Sequence, residues 1–194
     1  MLDLFDGVES DLQEKIKFNS NKDLIIYSYR VAGTVGLMMA KILKVNSKNS
    51  LNAAIDLGIA MQLTNIARDV IEDSKRNRYY IDCNFKTIVE TLKLADSFYD
   101  SSFKSIKEIP FRSRFAILVA RRVYRQIGNN ILRKKNIENY NKSGKIYVSN
   151  LGKFFQTVLS IFDFLVLLLI HTKKHDKDAE HQIIREEINL NERI

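Results

Sequence analysis

Four polar side chains recur at helical spacing near the middle of the chain and suit the binding of a hard cation. Gln62, Asn65, Asp69 and Asp73 stand at i, i+3, i+7 and i+11, so a helix places them on one face. Mg²⁺ takes carboxylate and amide oxygens and keeps water or phosphate oxygens in its remaining positions. This polar ladder therefore predicts a metal site that can also hold a phosphate group.

The residues beside the polar ladder bear on whether it faces a cavity or solvent. Apolar side chains flank it, namely Leu63, Ile66, Ala67, Val70 and Ile71. A carboxylate stripe with apolar borders is typical of a lined cavity. The alternative is a solvated helix face on which Arg68 and Glu72 pair at i, i+4.

A second group of polar residues lies on the preceding apolar segment. Tyr27, Arg30 and Thr34 follow one side of a helix predicted over residues 24–43. A phenol and a guanidinium near a metal–phosphate site can hold diphosphate oxygens and stabilise the charge that develops on them. The basic loop that contains Arg78 follows the carboxylate helix and can close over the same oxygens. The alternative for Tyr27, Arg30 and Thr34 is a packing surface. The alternative for the loop that contains Arg78 is a solvated loop.

Composition favours an all-α fold that positions these groups. With one proline and seven glycines in 194 residues, the chain has few of the residues that form the turns between many short strands. Periodicity predicts helices over residues 24–43, 51–73, 86–107, 113–132 and 148–172, with a loop over 134–145. Gly33 and Gly36 lie inside the first of these helices, where each costs about 1 kcal/mol relative to alanine. They indicate close approach of another helix or of a ligand.

Charge and cysteine content limit the partners. The net charge of +8 allows nucleic acid, an anionic membrane surface or an anionic small substrate. The lysines are scattered and lack any nucleic-acid-binding motif, so we expect no nucleic acid partner. Cys83 is the single cysteine, which excludes an intrachain disulfide. The first residues lack the pattern of a secretory signal, and a cytoplasmic location is expected.

An apolar segment over residues 154–170 raises the question of membrane contact. Gln156, Thr157, Ser160 and Asp163 interrupt it, and a spanning helix needs about 20 predominantly apolar residues. The alternatives are a buried core helix, a helix lying on an anionic bilayer at the inner membrane face, and a spanning helix. Lys153 and the lysines at 173–174 suit the second. His171 and His175 share the spacing of a metal pair but are predicted to face solvent.

Two segments resemble the squalene and phytoene synthase family, and their wording is nearest to its bacterial phytoene synthases. Residues 27–37 (YSYRVAGTVGL) are similar to its first long inner motif. Residues 56–73 (DLGIAMQLTNIARDVIED) are similar to its second aspartate-rich motif. The resemblance implies an isoprenoid-synthase fold with a central cavity. It also implies that residues 1–172 form the C-terminal portion of that domain, that 173–194 is a charged tail, and that an N-terminal portion bearing the first aspartate-rich motif is a partner.

The resemblance also assigns roles to residues. The Mg²⁺ ligands it implies are Asn65, Asp69 and Asp73. The catalytic residues it implies are Tyr27, Arg30 and Arg68. The substrate-binding residues it implies are Gln62, Val31, Val35, Gly36 and Arg78, with Val31, Val35 and Gly36 walling a channel for isoprenoid tails. In that setting Gly33 and Gly36 would make room for a prenyl chain.

The implied activity is a Mg²⁺-dependent prenyltransferase. It joins two geranylgeranyl diphosphates head to head through a cyclopropyl diphosphate to give phytoene, the first step of carotenoid biosynthesis. One alternative is a squalene or dehydrosqualene synthase that uses farnesyl diphosphate, with NADPH if the reaction is reductive. The others are a non-catalytic assembly factor and an inactive fragment.

Overall fold

Helices account for nearly all of the regular structure in residues 1–170 and 178–193, the residues that this computed structural model describes. Up to residue 170 the helices are α1 (Leu2–Ser10), α2 (Asn21–Ser28), α3 (Thr34–Ile42), α4 (Lys48–Ser74), α5 (Phe85–Phe103), α6 (Phe111–Leu132), α7 (Ile137–Lys142) and α8 (Asn150–Leu169). The described C-terminal part contains α9 (Asp178–Arg185) and α10 (Leu190–Arg193). The predicted all-α class is confirmed.

The helix predicted over residues 24–43 is divided in two by a π-helical turn at Tyr29–Gly33. Helix α2 begins with a capping box, in which Ser20 Oγ accepts from the Asp23 amide and the Asp23 carboxylate accepts from the Ser20 amide. In the π-turn the Thr34 amide donates to the Tyr29 carbonyl, five residues back, and so the chain gains one extra residue before α3. This turn carries Arg30, one of the predicted site residues.

Helix α4 is the centre of the fold and carries the polar ladder. It packs against α3, the π-turn, α5 and α6. Ile55, Ile59 and Leu63 are fully buried along its length, which explains why an apolar sequence of this length is stable as a helix. With its other sides covered, α4 can present the ladder in only one direction.

A short parallel pairing, which the sequence analysis did not anticipate, joins the region after α1 to the region after α4. Strand β1 (Ile16–Lys17) pairs with β2 (Arg78–Tyr79), with Ile16 opposite Arg78. The pairing holds the basic loop after α4 beside the segment that follows α1. It thereby fixes the position of Arg78.

The segment expected to be a loop over residues 134–145 contains the short helix α7. Asn136 explains why, because its side chain accepts from the Asn139 amide at 2.8 Å and caps the helix. Tyr140 on α7 is buried, and its hydroxyl donates to the Ala67 carbonyl of α4 at 3.1 Å. The helix therefore connects the following loop to the centre of the polar ladder.

The described part of the predicted charged tail, residues 178–193, packs against the rest of the fold. His181, Ile184 and Leu190 are fully buried. His181 Nε2 lies 2.6 Å from Asp56 Oδ1, and both side chains are inaccessible to solvent. Residues 178–193 thus pack against the fold and do not extend from it. His171, His175 and the lysines at 173–174 lie outside the described residues.

Helix α8 is the least covered of the long helices. It has 20 residues, a mean hydropathy of 1.7 and only 11% of its most apolar window buried, so it is long and apolar enough to cross a membrane. The alternative of a buried core helix is therefore wrong, whereas the two membrane alternatives stay predictions. One side of α8 packs on α6. There Arg122 Nε lies 2.5 Å from Asp163 Oδ2, and Gln156 Nε2 donates a hydrogen bond to Gln126 Oε1. The opposite side is apolar and exposed.

Candidate metal and diphosphate site

Two basic side chains hold Asp69, the first of the two carboxylates of the polar ladder. Arg68 donates through Nε to Asp69 Oδ1 at 2.9 Å and through Nη2 to Oδ2 at 2.6 Å. Lys145 Nζ lies 3.1 Å from Asp69 Oδ1 and 3.0 Å from Glu72 Oε2. Burial acts to raise the pKa of Asp69, but the hydrogen bonds and charges of Arg68 and Lys145 hold it below its usual value. The alternative of an Arg68–Glu72 pair is wrong, since Glu72 pairs with Lys145.

Asp73, one turn further along, has the opposite electrostatic character. Burial raises its pKa to about 6, and the negative charge of Asp69 adds to the shift. The positive charges of Arg78 and Arg76 act against it. Asp73 thus lies close to Asp69 in a position where a second carboxylate charge is not fully compensated.

Asn65 provides the observation that bears most directly on a metal. Its Oδ1 atom is buried and has no hydrogen-bond partner, a costly arrangement for an amide oxygen. A cation beside Asn65, Asp69 and Asp73 would satisfy this oxygen and compensate the charge on Asp73. The three side chains therefore fit Mg²⁺ in type. Across residues 1–170 and 178–193 no three His, Cys, Asp or Glu side chains are grouped to hold a metal, so further oxygen ligands would come from a diphosphate, water or a partner.

The predicted site residues Tyr27 and Arg78 meet at Asp11, a residue that the sequence analysis missed. The Tyr27 hydroxyl lies 2.9 Å from Asp11 Oδ2, and Tyr80 donates to Asp11 Oδ1 at 2.8 Å. Arg78 Nη2 donates to the Asp11 carbonyl at 3.2 Å. The rings of Tyr27 and Tyr80 stack with centroids 4.8 Å apart, and Phe18 contacts both edge-on. Asp11 lies just past the end of α1, where no periodic pattern marks it.

The acidity of this tyrosine pair follows from its surroundings. Burial raises the pKa of Tyr80 to about 12, and the carboxylate of Asp11 contributes to the shift. Burial also raises the pKa of Tyr27, with a further contribution from the hydrogen bond to Tyr80. Both phenols are therefore neutral near pH 7 and can act as hydrogen-bond donors.

The remaining predicted residues lie on the π-turn, α3 and α4. Arg30 has a buried Nε atom without a hydrogen-bond partner, although the side chain as a whole is only half-buried. Val31 and Gln62 are half-buried, whereas Val35 is 44% exposed. Val35 thus adjoins open space in the described chain.

Gly36 borders an apolar pocket of about 60 Å³ between α3, α4 and the start of α6. Met39, Leu57 and Ile117 also line it. Pockets that enclose whole small-molecule ligands measure about 300–1,000 Å³, so this space holds part of a prenyl chain at most. Val31 and Val35 do not line this pocket, and the predicted isoprenoid channel stays a prediction.

Helix packing explains the two glycines of the first inner segment. A Cβ atom on Gly36 would lie 2.1 Å from the Ala54 carbonyl oxygen of α4. A Cβ on Gly33 would lie 3.1 Å from the ring of Tyr29 and 3.2 Å from Ile55. The interpretation that these glycines make room for a prenyl chain is wrong for Gly33, and Gly36 is required by α4 whether or not a ligand is bound.

Asp96 and Asp100 repeat the Asp-x-x-x-Asp spacing on α5, but both are occupied by one arginine. Arg125 Nε lies 2.8 Å from Asp96 Oδ1, and Arg125 Nη1 lies 2.6 Å from Asp100 Oδ1. This pair stabilises the contact between α5 and α6. Spacing alone therefore does not identify the metal site.

Comparisons with known proteins agree with this geometry. A sequence model of the family described as squalene/phytoene synthase matches residues 1–81. The 15-cis-phytoene synthase of Paracoccus sp. is 34% identical over 175 residues, which are 78% of this chain and 57% of that protein. The chain belongs to the squalene/phytoene synthase family. The 15-cis-phytoene synthase of Enterobacter agglomerans is 35% identical over 65% of this chain and 50% of that protein.

A solved structure supports the fold of this squalene/phytoene synthase family member. A crystal structure titled as a dehydrosqualene synthase in complex with ligand superposes with a TM-score of 0.68 at 30% identity. The match covers 84% of this chain and 64% of that one. The predicted isoprenoid-synthase fold is thus confirmed. The chain spans about half the length of the curated relatives it matches.

Proposed function

We propose that this family member takes part in the head-to-head condensation of two geranylgeranyl diphosphates to phytoene, the prenyltransferase step that opens carotenoid biosynthesis. The observation that carries the proposal is the polar ladder, in which an unpartnered amide oxygen on Asn65 adjoins Asp69 and Asp73. The names of the bacterial relatives support the same activity.

The residues of the ladder would divide the work of binding. Asn65, Asp69 and Asp73 would hold Mg²⁺, which when bound supplies the positive charge that favours departure of diphosphate. Arg68 and Gln62 would orient the diphosphate oxygens from the same helix. Arg78, held by the β1–β2 pairing, adds a positive charge next to Asp73.

Tyr27 and Arg30 would act at the reacting carbon atoms. The Tyr27 hydroxyl is fixed by Asp11 and Tyr80 and stays protonated, so it donates a hydrogen bond without acting as a nucleophile. An aromatic ring at this position would stabilise a developing cation brought against it. Val31 and the apolar pocket beside Gly36 would exclude water from the prenyl tails.

We also propose that the active assembly needs an additional helical portion of the fold. The exposed apolar side chains of α1 and α3 support this, among them Phe5 at 62%, Val35 at 44% and Ile42 at 73% exposure. Exposed apolar side chains on two helices in contact are typical of an interaction site. The portion implied by the family resemblance brings the first aspartate-rich motif, which would complete the ligands around Mg²⁺.

A product assay tests both parts of the proposal. The chain is incubated with Mg²⁺ and either geranylgeranyl or farnesyl diphosphate, alone and together with the N-terminal half of the Paracoccus relative. We expect a hydrocarbon of phytoene mass from geranylgeranyl diphosphate in the combined sample and little turnover by the chain alone. Product of squalene or dehydrosqualene mass from farnesyl diphosphate would favour the alternative, to which the structural neighbour belongs. Robust turnover by the chain alone would refute the need for a partner.

The exposed side of α8 supports a location for this reaction at an anionic bilayer. The large apolar residues that are at least 36% exposed there are Leu151, Phe154, Phe155, Val158, Leu159, Ile161, Phe162, Leu165, Val166, Leu168 and Leu169. The single carboxylate of α8, Asp163, is neutralised by Arg122. Exposed Lys153 and Arg112 adjoin the apolar surface. Because α8 packs along the charged helix α6, we propose that it lies on the bilayer and does not cross it.

Vesicle binding tests this location. Replacing Phe154 and Phe162 with serine should weaken partition into vesicles of phosphatidylserine and phosphatidylcholine about tenfold, because two exposed phenyl rings lose their place in the bilayer. Partition is measured by cosedimentation, and added salt should weaken it further. The matched control is Phe5→Ser, which removes an exposed phenyl ring from α1. Equal losses in both variants, or equal binding to neutral vesicles, would contradict a specific α8 contact.

A further inference from the structure

Lys145 is a cation placed on the polar ladder by a distant part of the chain. Its Nζ atom lies 3.1 Å from Asp69 Oδ1 and 3.0 Å from Glu72 Oε2, although more than 70 residues separate them in sequence. Gly144, at a φ of +60°, turns the chain immediately before it. The α7 helix holds this turn in place, since the buried hydroxyl of Tyr140 contacts the Ala67 and Arg68 carbonyls. The position of Lys145 is therefore set by α4 itself.

The two cations on Asp69 differ in how firmly they are held. The Arg68 side chain is 15% exposed and binds Asp69 through two parallel hydrogen bonds from the adjoining residue. The Lys145 side chain is 30% exposed, and each of its two contacts is a single one at the end of a flexible stem. Lys145 can therefore leave Asp69 more readily than Arg68.

A basic cleft of about 120 Å³ lies next to this lysine. Arg68, Lys75 and Lys145 line it together with Glu72 and Tyr140. Three cations and one carboxylate leave a net positive lining, which favours an anion. The same lysine thus has two neighbours of different kinds, a carboxylate needed by a metal and a cleft that suits an anion.

We propose that Lys145 is a transferable counter-ion of the site, a role that rests on the proposed function. Before the metal binds, its ammonium group compensates Asp69 and Glu72 and so opposes the binding of Mg²⁺ alone. The ammonium group would leave Asp69 once that carboxylate is shared with Mg²⁺, and it would then pair with the oxygens of the diphosphate. This exchange couples the metal to the diphosphate, because each is bound better when the other is present.

Isothermal titration calorimetry with Mg²⁺ and inorganic diphosphate tests the exchange. Lys145→Met should bind Mg²⁺ alone about five-fold more tightly than the parent chain, and bind diphosphate in the presence of Mg²⁺ about five-fold more weakly. Lys145→Arg keeps the positive charge and should bind Mg²⁺ and diphosphate much as the parent chain does. The matched control is Lys142→Met, which removes an exposed lysine at the end of α7. Circular dichroism verifies that each variant is folded.

The outcomes separate this role from simpler ones. If Lys145→Met weakens diphosphate binding but leaves Mg²⁺ binding unchanged, Lys145 is an anion ligand only and the exchange is refuted. If Mg²⁺ affinity falls, Lys145 organises the carboxylates and does not compete for them, which also refutes it. If the parent chain binds neither Mg²⁺ nor diphosphate, the proposed function itself fails.

Discussion

Replacing Gly58 with valine is expected to destabilise the chain by more than about 3 kcal/mol, because the new side chain would clash with the backbone of the π-turn that packs against α4. A Cβ atom on Gly58 would lie 2.2 Å from the Ala32 carbonyl oxygen and 2.9 Å from the Gly33 Cα atom. Neither can move without shifting the π-turn away from α4. Urea denaturation followed by circular dichroism measures the change.

Gly128→Ala is the matched control for this substitution. Gly128 is also buried inside a long helix, but the nearest atom to its added Cβ is Leu92 Cδ2 at 3.1 Å, the end of a flexible side chain. The gain in helix propensity, about 1 kcal/mol, should roughly offset the adjustment of Leu92. Similar losses of unfolding free energy from both substitutions would contradict a close backbone contact between α4 and the π-turn.

Replacing Asp69 with alanine is expected to weaken Mg²⁺ binding about 100-fold and to abolish product formation in the combined sample. The substitution removes one of two carboxylates on the ladder and releases both Arg68 and Lys145 from their shared partner. Calorimetry measures the Mg²⁺ affinity, and mass spectrometry of the hydrocarbon measures the activity.

Asp100→Ala is the control for the Asp69 substitution, because Asp100 belongs to the same Asp-x-x-x-Asp pattern on α5 and pairs with Arg125. It is 65% exposed and should leave both measurements unchanged within about two-fold. Unchanged metal binding in Asp69→Ala would mean that the ladder is not a metal site. Together with an absence of product in the parent sample, this result would favour a non-catalytic assembly role.

The sequence predicts the elements of this fold better than their connections. Periodicity identifies the helical segments that contain α2 and α4, because helix formation depends on local spacing. The β1–β2 pairing joins two strands of two residues each, which is too short for any pattern to mark. The π-turn likewise depends on the extra residue between two packed helices and not on a local signal.

The sequence also predicts only part of the candidate site. The ladder on α4 could be predicted because all of its members lie on one helix. Asp11 and Lys145 could not, since each reaches the site from a loop whose position is set by tertiary contacts. The sequence marks Asp56 only as the first residue of the 56–73 segment. Its buried contact with His181 depends on the packing of the C-terminal part against α4.

The ion pair between Arg193 and Asp3 brings the two extremities of the described chain together. Arg193 Nε lies 3.0 Å from Asp3 Oδ2, and the same carboxylate accepts from the Tyr29 hydroxyl at 3.0 Å. One carboxylate thus joins α1, the π-turn and α10, so Asp3→Asn is expected to loosen all three together, which amide hydrogen exchange would measure.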